Sequence, residues 1–174
     1  MGIALIALVI ASSVRDYIMP KLIKEFELQA DVKVDFQFPF PGPFGQRIFS
    51  TVTGGRFVGD RLKGEIVGAS GDWALMGQDK FFRPDVRLTF KTVDAALIYV
   101  QFLGVGKLTL GIRDILGLGA DTPTSLGEEY LFVHPRMETG DPRYAWVNQT
   151  MFIGEGRVLP GPRAEYQVYR VAKS

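Results

Sequence analysis

Cysteine is absent from this sequence, and histidine occurs once, at position 134. The lack of thiols excludes disulfide bonds, thiolate nucleophiles and cysteine-ligated zinc or iron–sulfur centres. Catalytic zinc usually takes two or three histidines, so we predict neither a metal nor another cofactor. We expect His134, which ends an aromatic segment, to be a hydrogen-bonded structural residue more often than a catalytic one.

Excess charge and long apolar runs are also lacking. The chain has 20 basic and 19 acidic residues and a formal net charge of +1, so no nucleic-acid partner is predicted. The apolar run Ile3–Ala11 is shorter than the roughly 20 residues that span a bilayer, which argues against stable membrane insertion. It is similar to the core of a signal peptide, but no Lys or Arg precedes it. A cytoplasmic location is therefore expected, with secretion as the alternative.

Three common motifs are missing: a G-x-G-x-x-G turn, a Walker A loop and a G-x-S-x-G nucleophile elbow. Dinucleotide binding, P-loop phosphate binding and hydrolase chemistry of the elbow type are therefore not predicted. Any chemistry must come from Asp, Glu, Arg, Lys, Tyr and Asn side chains.

The sequence does contain many short segments of alternating polarity, with 20 Gly and 10 Pro between them. Such segments predict strands at Leu22–Phe40, Arg47–Phe57, Leu62–Val67, Asp72–Met76, Val86–Lys91, Ala96–Leu103 and Ala164–Val171. Helical spacing of apolar residues predicts one short helix within Gly104–Gly119. We predict an all-β fold: a closed or nearly closed antiparallel, lipocalin-like barrel of about 8–10 strands with one or two short helices. It would form a single domain over residues 20–174, after an apolar extension over residues 1–19.

The segment Glu128–Val158 has the pattern of a hairpin, with turn residues between two alternating runs. Its second strand is predicted over Tyr144–Ile153, where the glycines at 154 and 156 end it. Tyr144, Trp146 and Asn148 would then share one face. Such a face suits a ligand-filled cavity better than a dry core, because buried polar groups need partners.

Four residues are candidates for catalysis. An acid in an aromatic cavity has a raised pKa and can protonate substrate at neutral pH, which makes Asp72 and Glu138 candidate acids. Asp72 could instead cap a turn, and Glu138 could be solvated. Arg87 lies on an outward face in one interpretation and inside the barrel, beside a carboxylate, in the other. Tyr99 is the fourth candidate.

Several short motifs occur along the chain in an order that is typical of one protein family. They are T-G-G-R-F-V-G at 53–59, L-K-G-E-I at 62–66, G-D-W at 71–73, D-V-R at 85–87, T-x-D-x-A-L-I-Y-V at 92–100, M-E-T-G-x-x-R-Y-A-W-V-N at 137–148 and F-I-G-E-G-R at 152–157. Over roughly residues 20–171 the chain resembles the domain of unknown function 3237 family. The resemblance implies a small antiparallel β-barrel and is closer to fungal members, some of which resemble cyclases of polyketide pathways. Ala95 replaces a usual Gly, Met137 replaces a common Phe, and residues 1–19 have no counterpart.

The resemblance, together with the candidate acids, implies a cofactor-independent cyclase of secondary metabolism. It would add a hydroxyl to an alkene within one aromatic, polyketide-like substrate. Arg87 and Tyr99 would stabilise oxyanion charge, beside an acid at position 72 or 138. The predicted substrate-binding residues are Trp73, Tyr130, Phe132, Tyr144, Trp146 and Asn148. The alternatives are a non-catalytic carrier barrel and a structural domain. A homo-oligomer is also possible, because the apolar N-terminus is suited to self-association.

Overall fold

The structure is a computed structural model that describes residues 19–113 and 129–174, with the backbone alone for 35–40. It contains nine strands: β1 Lys21–Gly42, β2 Gly45–Gly59, β3 Gly64–Met76, β4 Phe81–Arg83, β5 Asp85–Thr92, β6 Leu97–Lys107, β7 Leu131–Glu138, β8 Phe152–Leu159 and β9 Arg163–Ala172. A 3-10 helix spans Pro142–Gln149. Residues 110–113 are also helical.

Eight of these strands close into a ring in which every pairing is antiparallel. The order is β1, β2, β3, β5, β6, β7, β8 and β9, and β9 pairs with β1 again; β4 bridges β3 and β6. Closure leaves the ring without free edges over the paired lengths. The predicted antiparallel barrel is therefore confirmed.

The first strand is longer than its partner in the ring. It pairs with β9 only from Lys21 to Asp31, whereas its pairing with β2 continues to Gly42. The backbone N–H of Val32 donates to the carbonyl of Pro162 at 3.0 Å, which is the last contact between these two edges. Residues 33–42 therefore extend past β9 and pair with β2, whose other side pairs with β3 from Gln46 to Thr51.

Side chains alternate between the interior and the outer face along each strand, as antiparallel pleating requires. In β5 the residues Val86, Leu88 and Phe90 are buried, and the residues between them are partly or fully exposed. One half of the interior is filled by rings. Phe90 stacks on Phe57 with centroids 4.1 Å apart, and Phe26 meets both rings edge-on at 6.2–6.3 Å.

The structure departs from the sequence prediction at residues 144–149, which were predicted as strand and belong to the 3-10 helix Pro142–Gln149. Pro142 lacks the N–H that a strand ladder needs, and its fixed φ suits the first helical position. Asp141 caps the helix, because its carboxylate accepts the backbone N–H of Arg143 at 3.0 Å. The prediction that glycines 154 and 156 end the strand is also wrong, because both lie inside β8.

Two predicted features fall largely outside the described residues: the apolar extension, apart from Met19, and the part of the predicted helix after residue 113. Within the described ranges, no helix is long and apolar enough to cross a membrane.

Replacing Phe90 with Ala should lower the free energy of unfolding by about 3–5 kcal/mol, because it removes the central ring of a packed cluster. The measurement is urea unfolding followed by tryptophan fluorescence. The control is Val93→Ala, whose side chain is 69% exposed and which should change stability by about 0.5 kcal/mol or less. A loss at Phe90 under about 1.5 kcal/mol would contradict the packing described here.

Candidate active site

The other half of the interior holds a cavity of about 90 Å³. Most of its lining is apolar: Val32, Val34, Ile48, Ala74, Met76, Phe82, Pro84, Leu131, Val158, Pro162 and Ala164. Four polar residues join them, namely Ser50, Asp72, Arg163 and Tyr166. An apolar pocket with a few polar groups is the usual form of a small-molecule site.

Asp72 lies inside because it shares the inward parity of β3 with Ala74, whereas Trp73 between them points outward. Its Oδ1 accepts the backbone N–H of Asp85 at 2.9 Å. Burial, together with the nearby Asp85 carboxylate, raises the pKa of Asp72 to about 6, although the hydrogen bond acts in the opposite direction. An appreciable fraction of this carboxyl group is therefore protonated near neutral pH.

Tyr166 and Ser50 bring two hydroxyl groups to the same cavity. Ser50 is the Cα partner of Asp72 across β2 and β3, and Tyr166 is buried on β9. Burial, and then the charge of Asp72, raises the pKa of the Tyr166 phenol, which therefore stays protonated. Among residues 19–113 and 129–174, neither hydroxyl forms a hydrogen bond. Both are free to contact a bound molecule.

The position of the Tyr166 ring depends on its neighbours. It meets Phe102 edge-on, with centroids 5.4 Å apart and an interplanar angle of 67°. A Cβ on Gly156 would lie 2.5 Å from the ring carbon Cε1 of Tyr166, so only glycine leaves room for the ring there. Gly156 on β8 thus allows the Tyr166 ring to take its position beside the cavity.

Four of the predicted site residues on strands β5, β6 and β7 lie on the outer face. They are Arg87, Tyr99, Phe132 and Glu138. Of the two placements considered for Arg87, the outward one is confirmed and the one inside the barrel is wrong, because Val86 and Leu88 hold the inward parity of β5. Its guanidinium does meet a carboxylate, that of Asp85 at 3.0 Å, but on the outside.

The other predicted site residues on or beside the strands also point outward and do not line the cavity. Tyr99 and Glu138 are Cα partners across β6 and β7, where Tyr99 is 43% exposed. Trp73 is exposed to the same degree, between Phe49 and Arg87. Tyr130, just before β7, packs on Phe132 at 5.2 Å and is half exposed. The interior placement predicted for these side chains is wrong.

The 3-10 helix holds the remaining candidates, and the side chain of each contacts another residue outside the cavity. Tyr144 donates its hydroxyl hydrogen to Asp94 at 2.9 Å. Asn148 accepts from the N–H of Thr139 and donates to its carbonyl, both at 2.9 Å. Trp146 packs beneath the guanidinium of Arg61, 3.9 Å from the ring centroid. These residues do not line the cavity, so the predicted pocket wall is wrong as well.

Asp72 is thus the predicted site residue that the structure places in the cavity, and Ser50, Tyr166 and Arg163 were not predicted. Tyr166 could have been found from its parity, because Val168, two residues on, is a strand-core residue. Ser50 stands likewise between apolar residues of one parity on β2. In the described part of the chain, no three His, Asp or Glu side chains converge on a possible metal site.

Comparison of sequences shows which known proteins this chain is similar to. The sequence profile of a family described as protein of unknown function DUF3237 matches residues 20–171. A UPF0311 protein of Rhodopseudomonas palustris (strain TIE-1) is 27% identical over 110 residues, which cover 63% of this chain and 71% of that protein. PR-toxin biosynthesis cluster protein 7 of Penicillium roqueforti is 26% identical over 149 residues, covering 76% of this chain and 77% of the relative.

Solved structures share the fold. A protein of Acinetobacter baumannii described as beta-barrel like superposes with a TM-score of 0.70 at 26% identity, over 88% of this chain and 97% of the other. An enzyme from Penicillium herquei superposes with a TM-score of 0.56 at 19% identity, over 86% of this chain and 94% of the other.

The raised pKa of Asp72 predicts that its ionisation destabilises the fold. The folded pKa is about 6 against 3.8 for the free group, so stability present below pH 4 is lost as the pH rises through 6. Asp72→Asn, which stays neutral and can still accept from Asp85, should be more stable than the parent by up to about 3 kcal/mol at pH 8. At pH 4 the two proteins should be similar.

Urea unfolding at the two pH values measures this difference. Asp60→Asn, at an exposed carboxylate, is the matched control and should change stability by about 0.5 kcal/mol or less at both. A stability difference between Asp72→Asn and the parent that does not depend on pH would contradict the electrostatic origin.

Proposed function

This chain belongs to the family of proteins of unknown function DUF3237, and we propose that it is a biosynthetic enzyme, a cofactor-independent cyclase. The reaction is the addition of a hydroxyl across an alkene within one aromatic, polyketide-like molecule. The observation that carries the proposal is a carboxyl group with a pKa near neutrality inside an apolar cavity. The relative from P. roqueforti, which is named for a toxin biosynthesis cluster, supports a role in secondary metabolism.

The step requires one proton donor and returns the proton at its end. Protonated Asp72 gives its proton to one alkene carbon, and the substrate hydroxyl oxygen forms a bond to the other carbon. The hydroxyl proton is then released and restores Asp72 to its acid form. Substrate and product are isomers, so the reaction needs no oxidant, reductant or second substrate.

Two neighbouring hydroxyls assist the same step. The Tyr166 phenol stays protonated and donates to a carbonyl conjugated with the alkene, where negative charge would otherwise develop. Ser50, opposite Asp72 on β2, orients the attacking hydroxyl. These two residues take the roles that the sequence suggested for Arg87 and Tyr99, which lie on the outer face.

The size of the cavity limits what enters it. At about 90 Å³ it is smaller than the cavity of roughly 150 Å³ that accepts benzene in another protein. The reacting end of the substrate therefore occupies the cavity, and the rest of the molecule extends out of it. The apolar lining displaces water from the reacting carbon atoms, which strengthens proton donation by the carboxyl group.

The test is incubation with a phenol whose alkene is conjugated with a carbonyl, such as 2′-hydroxycrotonophenone, followed by chromatography and mass spectrometry. The product should have the mass of the substrate in H₂O. In D₂O it should carry one deuterium on the carbon next to the carbonyl, because the proton added to that carbon comes from exchangeable Asp72. Turnover should fall as the pH rises through about 6, since the acid form is lost.

Asp72→Asn should lower turnover by about 100-fold or more, and Tyr166→Phe by a smaller factor. Glu138→Gln and Tyr99→Phe are matched controls on the outer face and should leave turnover unchanged. Full activity in Asp72→Asn would contradict the mechanism. Tight binding with unmodified ligand recovered after long incubation would favour a carrier barrel instead.

A further inference from the structure

The candidate acid is hydrogen-bonded to the wall of the ring. Pairing between β3 and β5 ends at Asp72, whose Cα partner is Val86. The residue before Val86, Asp85, donates its backbone N–H to Oδ1 of Asp72 at 2.9 Å. In the described part of the chain, Oδ2 of Asp72 forms no hydrogen bond. Because Oδ1 already accepts an N–H, the protonated acid carries its hydrogen on Oδ2.

Asp85 connects this hydrogen bond to the outer face of the ring. It lies on the outward parity of β5, and its side chain is 27% exposed. Its Oδ1 is buried, lies 3.0 Å from Nη1 of Arg87 and, among the described residues, forms no hydrogen bond. A carboxylate oxygen in this position depends on the guanidinium to compensate its charge. Asp72, Asp85 and Arg87 therefore form one chain of contacts from the cavity to the surface.

Few other titratable groups face Asp72 inside the ring. Among the described residues, β9 brings Tyr166, whose phenol stays protonated, and Arg163, whose guanidinium is bonded to a carboxylate on β1. The partner of Asp72 on β2 is Ser50, whose hydroxyl carries no charge. The residues that β1, β4, β7 and β8 bring to the cavity are apolar. The carboxylate whose charge acts on Asp72 is therefore that of Asp85.

We propose that Asp85 and Arg87 are positioning residues for Asp72: the backbone N–H of Asp85 keeps Oδ2 as the proton donor in the cavity, and the ion pair acts on that donor through the wall of the ring. Neither residue lines the cavity. The inference rests on the proposed function in giving Asp72 a catalytic role, but the link between the three residues does not require turnover. The D-V-R segment at 85–87 thereby acts on the site from outside the cavity.

The two charges of the pair act on Asp72 in opposite directions. Burial is the main cause of the raised pKa of Asp72, and the Asp85 carboxylate adds to it. The guanidinium of Arg87 lies beside that carboxylate and offsets part of its effect. Arg47 lines the same outer depression and contributes a second positive charge. Removing the charge of Asp85 should therefore lower the pKa of Asp72, whereas removing the charge of Arg87 should raise it.

The test is an NMR titration of the Asp72 carboxyl carbon in protein labelled with ¹³C at aspartate, with the resonance assigned by its loss in Asp72→Asn. The midpoint in the parent should lie near pH 6. It should fall by about half a pH unit in Asp85→Asn and rise by a similar amount in Arg87→Gln, the scale of one partly exposed charge. The double variant should return the midpoint towards that of the parent. Arg87→Lys, which keeps the positive charge, should leave it near the parent value.

The hydrogen bond itself has a separate signal. The amide proton of Asp85 should titrate with the same midpoint as the Asp72 carboxyl group, because it donates to Oδ1, and this response should be lost in Asp72→Asn. Lys91→Gln is the matched control, since it removes a cation from the same outward parity of β5, where the strand pairs with Glu65. It should leave the midpoint unchanged. Equal midpoints in the parent, Asp85→Asn and Arg87→Gln, or an amide of Asp85 that does not respond, would overturn the proposal.

The two proposals fail separately. Where the protein is an active cyclase, the pH at which turnover declines should move down in Asp85→Asn and up in Arg87→Gln, in step with the NMR midpoints. Midpoints that move as expected in a protein that converts no substrate would contradict the cyclase and leave the link to Asp72 in place. Turnover that depends on Asp72, with midpoints that do not move, would contradict the positioning residues alone.

Discussion

Closure of the ring between β9 and β1 is the constraint on which the rest of the molecule depends. Once these strands pair, every strand has one face inside and one outside, and parity along the chain decides the environment of each side chain. Asp72 and Trp73 are adjacent in sequence, yet one lines the cavity and the other contacts Arg87 on the surface. A shift of one residue in β3 would exchange these two environments. Register is therefore the link between this fold and its candidate chemistry.

The two halves of the interior have opposite roles in the energetics. The stacked rings of Phe57 and Phe90 fill one half and stabilise the closed ring. The other half contains the cavity and is less tightly packed. Asp72 lies there, and its burial is unfavourable when the carboxyl group is ionised. A carboxyl group held in this way costs stability, since a core leucine would be more stable, and the proposed proton transfer would account for its presence. The packing of the aromatic half offsets the free-energy cost of burying Asp72 in the other half. Such compensation is common where function and stability compete.

Much of the fold could be predicted from the sequence, but most of the site could not. Alternation in Val86–Lys91 and Ala96–Leu103 identified β5 and β6 because a two-residue period is the physical signature of a half-buried strand. The period alone does not say which parity faces inward, and Arg87 was therefore open to two placements. Tyr144 and Asn148 suggested a cavity by their polarity, but their polar atoms are satisfied by Asp94 and Thr139, which are 50 and 9 residues away. Partners of that kind are not visible in a local pattern.

The unequal pairing of β1 has a consequence for how such proteins diversify. The ring is closed by pairings up to Asp31, whereas Val34 at the cavity belongs to the part of β1 that continues beyond β9 and is paired with β2 alone. Side-chain changes in this part of β1 would alter the cavity without disturbing closure, because a segment paired on one side tolerates change better than a ladder paired on both sides. A lineage could thus exchange one substrate for another by small steps, each of which leaves a folded and stable ancestor for the next.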